Sequence, residues 1–387
     1  MTAPNLTVVL VSGEELGRYG CTTIADLKRQ VFALPRRCGA LRHADPRSAK
    51  FIGKDGLLPD DQNFTEDEDL QLLLGPRTFA VSALRSRPQE RNPPVQMDVS
   101  QGLVRDHRGQ IVELDYAFDE TATGGLIFET VWEDAVQKSL TGGSALLIAY
   151  GPAGSGKGHS LFGKDGLIMK THEYLEAELA KISATLCVEF FEIEQELAYD
   201  LLAEDTTQRH RVRWGKDMTK VEGVEPYIMD VNTALLKGLE GRNKRREVGS
   251  GPPSIRTSQV FNIHIFLEHC EVPSLLQFLR LPASDPLWKF HQQTLRELRQ
   301  DHFSAMSKSL ASVSSVLERL QPREKPSLVP WRESAVTMLM ANVLRRELPQ
   351  LVCLGTCSGA DEETWSTLRF LRRARCASLE ASKRRPP

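Results

Sequence analysis

Across residues 77–380 the chain alternates between short, continuous apolar runs and longer stretches whose apolar positions recur at helical spacing. The runs at 79–84, 145–150, 186–193, 260–267, 275–281 and 351–355 predict strands, and residues 168–182, 301–320, 333–344 and 361–377 predict helices. This alternation predicts an α/β fold, a largely parallel sheet with helices on both faces. In such a sheet ligands sit beyond the carboxyl ends of the strands.

The pattern differs before residue 77. Residues 6–11 (LTVVLV) read as a strand, and Glu14-Glu15-Leu16 begin or flank a second. Thr23-Ile24-Ala25-Asp26 has capping-box spacing, after which Ile24, Leu27 and Val31 recur on one helical face. Residues 51–56 (FIGKDG) read as a strand and tight turn, and residues 70–74 (LQLLL) as a closing strand. This order of hairpin, helix and later strands resembles the ubiquitin-like β-grasp fold over most of residues 1–76, which therefore read as a separate domain. The chain runs on through Leu74-Gly75-Pro76 without a free diglycine end, so covalent conjugation is not implied. Two roles remain open for this unit: a non-covalent protein-contact module, or a structural appendage.

The strand at 145–150 leads directly into Gly151-Pro152-Ala153-Gly154-Ser155-Gly156-Lys157. Glycines let consecutive backbone N–H groups turn toward phosphate oxygens, and Lys157 adds a point charge, so the segment predicts a nucleotide-binding P-loop. A tight strand-to-helix turn with no ligand would satisfy the same residues. The next residue, whose hydroxyl would hold Mg²⁺ if it were Ser or Thr, is Gly158.

Composition narrows the class. A chain of 387 residues has room for two or three domains. Its 49 basic and 51 acidic residues nearly cancel, so overall charge points to neither nucleic acid nor membrane. The N-terminus, MTAPNLTVVL, lacks a basic stretch followed by a long apolar one, so no signal peptide is expected, and no apolar run reaches membrane-span length. Cys353 and Cys357 form the close pair among seven cysteines, with no second pair or adjacent histidines; the expectation is reduced thiols in the cytoplasm, without zinc.

A set of collinear blocks in residues 77–380 resembles the kinesin motor domain. Arg85-Ser86-Arg87-Pro88 matches the RxRP signature, Phe118-Asp119 the FD pair, and YGPAGSGKGHSLFG the family's YGQTGSGKTHTMEG. Phe190-Phe191-Glu192-Ile193 with Tyr199-Asp200-Leu201-Leu202 is similar to EIYNEEIRDLL. Ser307-Lys308-Ser309-Leu310 sits like NKSL, residues 329–334 (VPWRES) like VPYRDS, and residues 363–370 (ETWSTLRF) like ETLSTLRF. The resemblance implies the P-loop-type motor fold, ATP as ligand across Gly151 to Gly158, and an adenine pocket of Arg85, Arg87, Pro88 and His159. It also implies microtubules as partner and a cytoplasmic, cytoskeleton-associated protein.

The sequence departs from the family wherever metal and water are organised. Gly158 replaces the magnesium-binding Thr. Residues 251–258 (GPPSIRTS) stand for NxxSSRSH: Ser254, Arg256 and Thr257 stay in register, while Gly251 and Ile255 replace the Asn and the metal-reaching Ser. The second switch, DLAGSE in the family, reads Arg280-Leu281-Pro282-Ala283-Ser284-Asp285. Arg280 replaces the acid, Ala283 replaces the γ-phosphate-sensing Gly, and Pro282 removes a backbone donor. Either Arg280 pairs with phosphate in place of magnesium or it pairs with a surface acid such as Asp285. On the side that faces tubulin in the family, Ala335 and Met338 replace basic residues while Arg332 is kept. The run Arg242, Lys244, Arg245, Arg246 reads as a solvated face, with direct partner contact as the alternative, and residues 381–387 as a basic tail. No heptad run predicts a coiled coil for dimerisation.

The expectation is thus a divergent kinesin-like pseudo-motor with weak nucleotide binding, no protein anchor for Mg²⁺, little turnover and weak microtubule contact. Two alternatives stand beside it: an active ATPase with a rewired metal site, and a nucleotide-independent interaction scaffold.

Overall fold

The structure is a computed structural model. It describes residues 5–10, 15–20, 50–53, 56–57 and 68–73 with Thr23, Leu27 and Val31, and residues 80–377 apart from 87–95, 100–101, 106–108, 183, 216–217, 248–255, 269, 286–299, 321–327, 347–348 and 358–360. The chain divides into two compact units, Met1–Thr78 and Phe79–Pro387. The basic tail lies outside the described residues.

The first unit is a five-stranded sheet of β1 (Asn5–Leu10), β2 (Glu15–Gly20), β3 (Lys50–Gly53), β4 (Gly56–Leu57) and β5 (Glu68–Leu73) in the order β2-β1-β5-β3-β4. The pair β1–β2 is antiparallel, β1–β5 parallel and β3–β5 antiparallel. A parallel pair needs a long crossover, and the helical residues Leu27 and Val31 fall within it. Leu27 donates its amide to the Thr23 carbonyl at 3.0 Å, closing a helical turn where the capping spacing predicted one. Val8, Leu27, Val31 and Phe51 are fully buried or nearly so.

The second unit is built on a ten-stranded sheet. In chain order its strands are β6 (Val81–Ser86), β10 (Tyr116–Phe118), β11 (Ala145–Tyr150), β12 (Ala184–Glu194), β13 (Leu197–Asp200), β14 (His210–Arg213), β15 (Lys220–Val221), β16 (Ser258–Leu267), β17 (Ser274–Arg280) and β18 (Gln350–Cys357). A separate three-stranded sheet joins β7 (Gln96–Asp98), β8 (Leu103–Arg105) and β9 (Ile111–Glu113). The large sheet runs β10-β6-β18-β11-β17-β16-β12-β13-β14-β15. Its first five strands are parallel, and from β17 onward every neighbour is antiparallel. This corrects the expectation of a largely parallel sheet. Strands covered on both faces carry the same continuous apolar pattern in either orientation, so periodicity does not separate the halves. The connection does: β12 and β13 are joined through Gln195 and Glu196, both left-handed (φ 49° and 67°), a tight hairpin turn.

Helices cover both faces. On one side lie α1 (Gly124–Ile127), a π-helical turn (Phe128–Trp132), α2 (Glu133–Ser139), α4 (Leu167–Leu179) and α5 (Val231–Glu247). On the other lie α6 (Gln300–Arg319), α7 (Ala335–Leu344) and α8 (Asp361–Arg375). A short α3 (Lys157–Phe162) follows β11. Strand β11 shows how the sheet serves both cores: Leu146, Ile148 and Tyr150 enter one, Ala145, Leu147 and Ala149 the other. Each fully buried Leu or Ile of this kind contributes about 1.5–3 kcal/mol. Among the described residues no helix is long and apolar enough to cross a membrane.

Helix α5 overturns the solvated reading of the basic run. Lys244 is exposed, but Arg245 is fully buried and the Arg242 side chain keeps only 12% of its exposure. The buried positions Val231, Ala234, Leu235, Gly238, Gly241 and Arg245 share one face, and that face meets β12. There Glu192 and Glu194, two residues apart on one face of the strand, both accept hydrogen bonds from the Arg245 guanidinium, which also lies 3.5 Å from the centre of the Tyr199 ring. Contact is close because Gly238 has no side chain: a Cβ there would stand 2.2 Å from Phe190 Cδ1.

A buried ion pair that loses one partner leaves an uncompensated charge in the interior. Arg245→Ala is therefore expected to destabilise the second unit by about 3–5 kcal/mol in urea unfolding, whereas Lys244→Ala should shift it by less than about 0.5 kcal/mol. Equal effects from the two substitutions would show that Arg245 is not a structural charge.

Candidate functional site

The P-loop spans residues 151–156 between β11 and α3. Gly151, Gly154 and Gly156 hold φ values of 153°, 71° and 105°, which L-residues rarely adopt. At Gly151 space forbids a side chain as well, since a Cβ would lie 2.3 Å from the Thr356 carbonyl oxygen. Ser155 pins the loop to the sheet: its Oγ donates to the Pro152 carbonyl at 2.7 Å and lies 2.6 Å from Thr356 Oγ1. The span from Gly151 to Gly158 is thus the loop after β11 and the first two residues of α3.

Lys157 is 3% exposed. Its Nζ donates to the carbonyls of Gly151 (2.6 Å) and Pro152 (2.7 Å), folding back under the loop. Burial, with the Arg280 charge adding to it and Asp285 opposing it, brings its pKa down to about 7.

The second switch follows β17 along the loop. The Leu281 amide donates to the Ala149 carbonyl and the Ser284 amide to the Gly151 carbonyl, each at 3.1 Å. Asp285 Oδ2 accepts the Ala153 amide at 2.5 Å. Asp285 is therefore engaged by the P-loop, in place of the partnership with Arg280 weighed from sequence. Arg280, 8% exposed at the end of β17, donates from Nη1 to Gln259 Oε1 at 3.2 Å. Burial lowers its pKa to about 10, against the pull of Glu192 and with the repulsion of Arg246. A Cβ built on Gly158 would stand 3.9 Å from Arg280 Nε. The guanidinium thus borders the position whose hydroxyl would hold a metal.

Of the first switch, Ser254 lies outside the described residues, as do Gly251 and Ile255. Arg256 is half-buried. Thr257 is fully buried and donates its hydroxyl to Glu192 Oε1 at 2.7 Å. That same oxygen lies 3.7 Å from Arg242 Nε, so Glu192 gathers α5, the end of the first switch and the field of Arg280 around one carboxylate. Burial brings the pKa of Arg242 down to about 10, with Arg246 and Arg280 adding to the effect and Glu192 opposing it. Sequence reasoning did not place Glu192, Arg242 and Arg246 at the site. The available signal was the i,i+4 spacing of the two arginines on one helical face.

Of the adenine pocket implied by resemblance, the structure describes Arg85 and His159. Arg85 is 4% exposed; it donates from Nη1 to Ser160 Oγ at 2.9 Å and from Nη2 to the Ala122 carbonyl at 3.2 Å, bracing α3 from within. His159 is exposed on α3, and Arg87 and Pro88 lie outside the described residues.

These residues do not fit Mg²⁺. Gly158 and Ala283 offer no side-chain oxygen, Arg280 presents a positive charge, and among the described residues no group of three His, Cys, Asp or Glu could hold a metal. They do fit a phosphate cradle, with a left-handed glycine loop and a buried lysine at the end of β11.

Known proteins agree with this architecture. "Kinesin-like protein KIN-7L, chloroplastic" of Arabidopsis thaliana is 25% identical over 302 residues, covering 73% of this chain and 30% of its own length. "Kinesin-like protein KIF14" of Mus musculus is 25% identical over 386 residues, 85% of this chain and 23% of its own. The chain therefore spans less than a third of these relatives. Among solved structures, a KIF14 dimer in the two-heads-bound state with AMP-PNP, in complex with a microtubule, superposes with a TM-score of 0.65 at 24% identity. That match covers 78% of this chain and 94% of the other. The kinesin motor domain matches as a family over residues 87–377. The chain belongs to the kinesin motor domain family.

Proposed function

We propose that the second unit is a kinesin motor domain that keeps a nucleotide cradle but lacks the means to anchor Mg²⁺, so that it binds ATP weakly and turns it over slowly or not at all. The observation that carries this reading is the buried Arg280 beside Gly158, where the family brings a hydroxyl and a carboxylate to the metal. Phosphoryl transfer asks the protein mainly for positioning and charge stabilisation, and Mg²⁺ needs at least one or two protein oxygens. The side chains of Gly158, Arg280 and Ala283 supply none. The phosphates would rest on the loop amides and on Lys157, once its ammonium leaves the Gly151 and Pro152 carbonyls.

A second reading, a nucleotide-independent scaffold, draws support from the same loop. Lys157 and the Ala153 amide are already satisfied within the protein. Failure of the chain to bind ATP at millimolar concentration would favour it. The third alternative, a rewired active ATPase, would be favoured by microtubule-stimulated phosphate release.

Microtubule contact, carried over from the family, is read as weak and insensitive to nucleotide. Helix α7 holds no charged residue and is buried on nearly every side, with Ala335 1% exposed and Met338 half-buried. The exposed Arg332 and Arg345 flank Trp214 at 5.3 and 5.0 Å, and they are the positive charge left beside that helix for an acidic surface. We read the first unit as a ubiquitin-like module for a non-covalent protein partner. Its strand order and the parallel β1–β5 pair support that reading. Cytoskeletal association is in keeping with the family, and we read the location as cytoplasmic.

Phosphate release with saturating microtubules is expected below about 1 s⁻¹, the low end for ordinary enzymes; a faster rate would return the chain to the active motors. Nucleotide binding at pH 8 is expected to take up about one proton, because Lys157 titrates near pH 7 when free and a bound phosphate restores its charge. Calorimetry in buffers of different ionisation enthalpy reads that proton. Lys157→Ala should abolish the uptake and weaken binding by about 1.5–3 kcal/mol. In cosedimentation, microtubule affinity is expected to be the same with ADP and with a non-hydrolysable ATP analogue, and tight binding released by ATP would contradict the reading.

A further inference from the structure

We propose that Asp285 is a built-in latch of the P-loop: its carboxylate holds a loop amide while the site is empty, and a nucleoside di- or triphosphate must expel it to bind. The inference rests on the reading of residues 151–157 as a phosphate cradle and specifies what stands in the way of the phosphates.

Three observations lead to it. First, an anion is already seated on the loop. Asp285 Oδ2 accepts the Ala153 amide at 2.5 Å, the charge-assisted bond that a carboxylate makes with a backbone N–H. Second, the cation of the loop is turned inward as well. Lys157 Nζ donates to the Gly151 and Pro152 carbonyls at 2.6 and 2.7 Å, and the Asp285 charge supports its ammonium form against burial. Third, the segment that delivers Asp285 is firmly held. Leu281 and Ala283 are fully buried, and the Leu281 and Ser284 amides donate to the Ala149 and Gly151 carbonyls, each at 3.1 Å. Pro282, between them, has its φ fixed by its own ring. Asp285 itself is half-buried, so a ligand arriving from solvent can reach it.

A backbone N–H has one proton to give. The Ala153 amide therefore serves either the carboxylate or a phosphate oxygen, and a carboxylate left in place would repel the phosphate. A contact made only by the empty site is lost on binding, so its strength is subtracted from the affinity. A cap that merely kept the loop in shape would act with the opposite sign, because its removal would loosen the cradle and weaken binding. The sign of the change on removing the carboxylate thus separates a latch from a brace.

The test is titration calorimetry of ADP, with Mg²⁺ and in EDTA, on the full chain and two variants, together with hydrogen exchange at the Ala153 amide read by NMR. Asp285→Ala is expected to bind ADP about tenfold more tightly than the unmodified chain, the low end for one hydrogen bond to a charged group. Asp285→Asn, which keeps the shape and an acceptor oxygen but not the charge, should fall between and guards against an Ala variant that misfolds. Without ligand, the Ala153 amide should exchange about tenfold faster in Asp285→Ala than in the unmodified chain. ADP affinity that is unchanged or weaker in both variants would overturn the latch and leave the nucleotide reading standing. So would Ala153 exchange that the loss of the carboxylate does not alter. ADP bound by the variants alone would uphold latch and cradle together. Binding by none of the three chains would defeat the nucleotide reading, and the latch with it.

Discussion

One buried carboxylate organises this domain. Glu192 accepts the Arg245 guanidinium and the Thr257 hydroxyl, with Arg242 nearby, so a helix, a strand and the end of the first switch are joined through a single side chain. Such a group tolerates burial only while its partners stay in place, because removing one strands a charge in low dielectric. The position of α5 against the sheet, and hence of every arginine it carries, depends on that condition. A basic run that looks from composition like solvated surface is in part an interior scaffold.

On the proposed reading the site keeps a loop shaped for phosphate while the buried Arg280 reverses the local charge. Strand β11, the glycine loop and Lys157 keep the geometry of a phosphate cradle, and the second switch lies alongside it through the Leu281 and Ser284 amides. These features need backbone conformation and one lysine. Metal-dependent chemistry needs particular oxygens in addition, and Gly158 and Arg280 stand where the family places them. On that reading shape and chemistry separate because they depend on different atoms: the first on main chain, the second on a few side-chain oxygens.

Much of this was legible in the chain itself. The run ALLIAY followed by glycines and a lysine marks the candidate site, and the collinear blocks around it favour that reading over a ligand-free turn. The antiparallel half of the sheet was not legible, since β12, β16 and β17 are covered on both faces and their composition carries no sign of direction. Helix α5 escaped for a different reason. Its buried stripe includes Gly238, Gly241 and Arg245, so a face in full contact with the core shows no apolar periodicity. Arg85 is a third case: the motif marks it in sequence, while the fold turns its guanidinium inward to Ser160 and Ala122. Local signals read well where the backbone alone decides, and poorly where a long charged side chain chooses among distant partners.

The seat of α5 on β12 carries one more implication. At Gly238 the helix lies so near the Phe190 ring that a single methyl group would overlap it. Any larger residue must lever the helix outward, and Arg242 and Arg246, one and two turns further along, would swing with it. The placement of charge at the nucleotide end of the sheet is therefore gauged by a position that has no side chain at all. Selection acting on the site can reach it through a residue that touches neither the loop nor a ligand.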